Sequence, residues 1–157
     1  MEKWEIALGS TLAALYIILV VGLGPLSYLQ IQFRAANILL GIIPIAGLPA
    51  VFGITLGVLV GNISSPLGPI DMLSVIPTFF GCLTIYYLRK VSVLAGLTVY
   101  TVIISLWVAF LLQYVLGLPY LITFLYLLIG VGVVTIGLGY ILYKTLLKFG
   151  GEKLWHR

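Results

Sequence analysis

An arginine and an aspartate stand in stretches of chain that tolerate few charges: Arg34 in SYLQIQFRAAN and Asp71 in NISSPLGPIDML. Near them in sequence lie Tyr28, Gln32, Asn37 and Asn62. A guanidinium presents forked donors, a carboxylate presents acceptor oxygens, and each carboxamide offers both. Such a set can read the edges of a planar, amide-bearing heterocycle, with Tyr28 and Phe33 available as aromatic faces, although aromatics at this depth also serve as interfacial anchors. An unpaired ion at mid-helix costs about 2.5–3.5 kcal/mol on membrane-insertion scales. Arg34 and Asp71 are therefore each other's expected partner. Two readings follow, a structural ion pair and a substrate site, and an ionisable group at membrane depth favours the second.

Catalysis is poorly provided for. Intramembrane hydrolysis needs a nucleophile with a base, paired carboxylates, or a histidine-containing metal site. The one histidine, His156, lies in the C-terminal tail, and Asp71 is the only embedded acid. No metal-ligand spacing and no GxxxxGK[ST] phosphate loop is present, so this chain is not expected to be an enzyme, to hold a cofactor or to hydrolyse ATP. Cys82, alone in an apolar stretch, reads as a small packing residue.

The elements that must position these residues are set by composition. Of 157 residues, 62% are hydrophobic and 8% charged, about a third of the charge of an ordinary soluble domain. This defines an all-α integral membrane protein. Gly and Pro punctuation (GLGPLSY, AGLPA, NISSPLGP, GLP) and the pair Arg89 and Lys90 divide the chain into six apolar segments, 5–24, 34–46, 49–62, 70–88, 92–116 and 119–148. The runs are continuously apolar and lack the alternation of membrane strands, so a single domain of six transmembrane helices is expected rather than a barrel. The first run is too long for a signal peptide's core and reads as a retained span. With six crossings the termini share a side, and seven of the eight Lys and Arg residues fall there. The positive-inside rule makes that side cytoplasmic, and anionic lipid rather than nucleic acid accounts for the net charge of +4. Arg34 is the exception.

Segments two and three are short, roughly 20 Å if helical, below the bilayer core of about 30 Å. Short segments broken by Gly and Pro point to a transporter's binding region, because irregular backbone is tolerated only beside a protected cavity. Gly53, Gly57 and Gly61 recur every four residues on segment three, and segment one carries two similar registers, Gly9 with Ala13 and Ser10 with Ala14. Such faces bring helices close together in lipid, either within the chain or against another subunit.

GPLSYLQIQFRAANILL, GITLGVLVGNISSPLGPIDML and YVLGLPYLITFLYLLIGVG, taken in order, resemble the QueT-type queuosine-precursor transporters, which are substrate-capturing S components of energy-coupling-factor (ECF) transporters. The resemblance covers most of the chain, and IQFR, SPLG and Asp71 are its most specific parts. It implies a six-helix S component with both termini in the cytoplasm and substrate held near the outer face. It also implies a membrane coupling subunit and two cytoplasmic ATPases as partners, with Gly9, Ser10, Ala13 and Ala14 resembling the docking patch. Two departures stand out: Asn37 replaces the family's usual glutamate after FR-x-S, and Val131 or Gly132 replaces its second glutamate. A pocket with one acid facing one arginine is neutral overall, so an uncharged ligand is expected, since a captured cation in a dry site needs an anion.

Overall fold

The computed structural model describes residues 2–23 and 34–151, which form helices without any strand among them. Six helical segments follow one another: α1 (Lys3–Gly22), α2 (Ala35–Ala46), α3 (Leu48–Ser64), α4 (Gly68–Leu88), α5 (Val93–Leu116) and α6 (Tyr120–Gly150). Among the described residues, α1, α4, α5 and α6 are long and apolar enough to cross a membrane. The sequence predicts six crossings; by length the structure supplies four, with α2 and α3 shorter apolar helices.

The shortfall is partly offset by helix type. The first part of α2, Ala35–Ile42, is an eight-residue 3-10 helix, followed by one α-helical turn at Ile43–Ala46. A 3-10 helix rises about 2.0 Å per residue against 1.5 Å for an α-helix, so α2 reaches about 22 Å rather than about 18 Å. The same tight winding closes α3 at Asn62–Ser64 and opens α4 at Gly68–Ser74. All three 3-10 stretches lie at the end of the bundle remote from the N-terminus, because the start of α2, the end of α3 and the start of α4 share that end by connectivity. At the opposite end α2 turns into α3 through Gly47 (φ 72°), and Pro49 sits in the first turn of α3, where a missing N–H costs nothing.

Packing rests on small residues. α1 lies along α3, and the stripe Gly53, Gly57 and Gly61 faces it. A methyl group at Gly53 would overlap the Gly9 carbonyl, and one at Gly57 would come within 2.7 Å of the Tyr16 Cβ. Gly41 of α2 meets Gly139 of α6 backbone to backbone in the same way. With lipid as apolar as any side chain, such close approach supplies the packing that hydrophobicity cannot. Gly9 and, in part, Ala13 are thus used inside the chain, whereas Ser10 and Ala14 lie on the exposed face of α1.

α4 and α5 pack antiparallel, as do α5 and α6. Ser92 caps α5, accepting from the Ala95 N–H at 3.2 Å, and Gly117 ends it in the left-handed conformation. In α6 the α-helix Tyr120–Gly132 passes into a π-helical stretch at Val133–Leu138 beside α2 and α5. Ile18, Phe52, Leu56, Phe110 and Leu125 are exposed, while Arg34, Asn37, Asn62 and Asp71 are buried. An apolar outside around a polar inside is the arrangement a bilayer demands.

Candidate functional site

The buried polar residues converge at the end of the bundle where the 3-10 stretches lie. Arg34, only 5% exposed, stands immediately before α2. Its Nη2 donates to Asn62 Oδ1 at 3.2 Å. Asn62, at the end of α3, donates from Nδ2 to the Asp71 main-chain carbonyl at 2.9 Å. One carboxamide therefore joins the starts of α2 and α4 and is satisfied on both its edges.

The Asp71 carboxylate, 2% exposed, points elsewhere. Its Oδ1 accepts from Ser74 Oγ at 2.7 Å. In a 3-10 helix residues three apart eclipse one another, so the winding of Gly68–Ser74 brings Ser74 directly over Asp71. Trp107 of α5 in turn donates from Nε1 to Ser74 Oγ at 2.8 Å. Arg34 and Asp71 are thus brought to one end of the bundle as expected, but their recorded link runs through Asn62 to the Asp71 backbone. The carboxylate itself is held by Ser74, and Oδ2 is buried with no hydrogen-bond partner among the described residues.

Asn37, three residues along from Arg34, is buried and its N–H donates to the Arg34 carbonyl at 2.9 Å. Its Oδ1 accepts from the Tyr16 hydroxyl at 2.9 Å, which ties α1 to α2. Where the resemblance leads one to expect an embedded glutamate, the chain has a neutral acceptor already engaged by a phenol. Val131 and Gly132, at the other position, are buried and carry no polar side chain. Tyr28 and Gln32, the remaining expected site residues, lie outside the described residues.

Tyr16, Ser74 and Trp107 belong to the polar set although nothing in the spacing of charged residues singles them out. For Trp107 a signal exists: Trp concentrates at membrane interfaces, and an indole in the interior of the 24-residue helix α5 is out of its usual place. Ser74 is recognisable only once the 3-10 winding is known.

Chemically, the cluster offers a guanidinium edge, carboxamides and a carboxylate, one positive and one negative group, with no set of three or more His, Cys, Asp or Glu residues able to hold a metal among the described residues. Edges of these kinds can orient a ligand by hydrogen bonds. A hollow of about 290 Å³ lies away from this cluster, at the terminal end between α1, α2 and α6, lined by Trp4, Leu8, Leu12, Ile42, Ala46 and Phe149 among others. No charged side chain lines it, so it has little with which to orient a polar heterocycle.

The fold and this cluster define a multi-pass helical membrane protein with a buried, charge-balanced polar centre. The model of the QueT transporter family matches residues 6–148, and the chain belongs to that family. Comparison with curated proteins and with solved structures gives no match. Its role as a transport protein of the membrane follows from the family and from its apolar helices.

Proposed function

We propose that the protein is the substrate-capturing S component of an ECF-type importer and binds a small uncharged planar heterocycle, a queuosine or deazaguanine precursor, on the extracytoplasmic side. The observation that carries this reading is the buried chain Arg34–Asn62–Asp71, in which one cation and one anion are embedded at the same end of the bundle. A site with balanced charge favours a neutral guest, since an added cation would lack a counter-charge in a low-dielectric setting. Arg34, Asn37, Asn62 and Asp71 serve as the polar edges of the pocket, with Tyr28 and Gln32 completing it. Capture needs this chain alone. Translocation needs a membrane coupling subunit and two cytoplasmic ATPases that use ATP. Ser10 and Ala14, exposed on α1, are the part of the small-residue patch available for docking, and both termini lie in the cytoplasm.

The experiment is thermal melting of the purified protein in detergent with the nitrile-bearing deazaguanine and with its charged aminomethyl counterpart. A ligand at 100 times its Kd stabilises by about 2.7 kcal/mol, so a clear rise in Tm with the nitrile and a smaller one with the amine are expected. A stronger effect from the amine would overturn the neutral-ligand reading. No shift with any nucleobase-like or vitamin ligand would leave a membrane scaffold in which Arg34 and Asp71 are structural.

A further inference from the structure

The Asp71 carboxylate is gripped from one side only. Ser74 Oγ donates to Oδ1 at 2.7 Å and accepts from Trp107 Nε1 at 2.8 Å, across 33 positions of chain. The direction of this relay is set at its indole end, because an indole N–H can only donate. Ser74 therefore accepts from Trp107 and has its single proton to give to Asp71, so Oδ1 is an acceptor and carries no hydrogen. Rotating the carboxylate would break the Ser74 bond, and rotating the serine would strand the indole N–H. Oδ2 is consequently held at one place and orientation, buried, with no partner among the described residues. A buried acceptor left without a donor is costly, so a donor from a bound molecule would be favoured at this fixed oxygen.

We propose that Asp71 Oδ2 receives an N–H donor of the ligand, an exocyclic amine or a ring N–H, and that Trp107 is the positioning residue that sets this preference through Ser74. The inference rests on the reading of the cluster as a ligand site and adds the chemical class recognised there: a neutral heterocycle whose donor-bearing edge faces α4, with the guanidinium of Arg34 on the side of α2. Trp107 acts from outside that edge. It is partly buried, its ring centroid 6.0 Å from that of Phe110 on the same helix, and it reaches the carboxylate only through the serine hydroxyl.

The test uses two matched pairs of uncharged probes, the nitrile-bearing deazaguanine with its 2-desamino counterpart and guanine with hypoxanthine. Equilibrium binding is measured on the full-length protein and on Trp107→Phe and Ser74→Ala, each shown to melt cooperatively. The unsubstituted protein is expected to favour the amine-bearing member of a pair by about tenfold or more, the scale of a hydrogen bond to a charged group. Both variants are expected to bring that ratio close to one, a change that a merely structural tryptophan would not produce. Equal binding of the two members by the unsubstituted protein, or the full preference retained in either folded variant, overturns the inference and leaves ligand capture standing. If neither member of either pair binds the unsubstituted protein, the ligand reading falls and this inference falls with it.

Discussion

Arg34 donates to Asn62 across 28 positions of chain, 3.2 Å from guanidinium nitrogen to carboxamide oxygen, with both residues buried. That contact and the 2.9 Å bond from Asn62 to the Asp71 carbonyl make one asparagine the junction of three helices. Replacing it, Asn62→Ala, removes both of these buried hydrogen bonds together. The expected loss of stability is about 2–5 kcal/mol, read as a lower denaturation midpoint in detergent, with ligand binding lost as well.

Arg34 and Asp71 separate pocket from scaffold. Arg34→Ala is expected to insert and fold with reduced stability, because it leaves Asp71 as the embedded ion without the counter-charge that balanced it. Adding Asp71→Asn removes that charge and keeps an acceptor for Ser74. The double variant is expected to recover Tm without recovering ligand binding. Recovery of both would assign the two residues a purely structural role.

Tyr16→Phe deletes the hydroxyl that donates to Asn37 Oδ1 and leaves the ring in place. A destabilisation of about 0.5–1.5 kcal/mol is expected. Chemical denaturation of the purified variant would show it as a modest shift in midpoint with an unchanged slope.

The seam between α1 and α3 gives a prediction of a different kind. Gly53→Ala places a methyl group on the Gly9 carbonyl, so the helices must part, at a cost of about 1–3 kcal/mol. Gly137 of α6 is exposed and has nothing within 4 Å of an added methyl group. Gly137→Ala is expected to change stability by about 1 kcal/mol or less, since alanine favours helix over glycine. Tm values of the two variants, measured in the same detergent, are the comparison that decides.

Much of this architecture was legible from residue types. Charge scarcity and uninterrupted apolar runs announce membrane helices, and the punctuation at Gly47, Pro49 and Gly117 falls at observed helix ends. The brevity of α2 and α3 is evident from the spacing of those signals. Their failure to meet the length of a full crossing follows from the same count. Helix type was not legible: Ala35–Ile42 and Gly68–Ser74 have no residue pattern that separates a 3-10 from an α-helix, yet that winding is what sets Ser74 on Asp71. The ion pair expected between Arg34 and Asp71 illustrates the limit. Sequence shows that two opposite charges must be accommodated at one end, but the intervening carboxamide is decided by how α3 closes, at Asn62. The small-residue registers of α1 were equally undivided in sequence, and packing against α3 turned Gly9 inward while leaving Ser10 and Ala14 outside.

If Arg34 and Asp71 together hold an uncharged heterocycle, that compound should accompany the purified protein. Mass spectrometry of small molecules released from the purified protein, set beside those from Arg34→Ala prepared identically, tests it most directly. A neutral, nitrogen-rich planar compound enriched from the unsubstituted protein and absent from the variant is expected. The same compound in equal amount from both, or a cationic one specific to the unsubstituted protein, would contradict it.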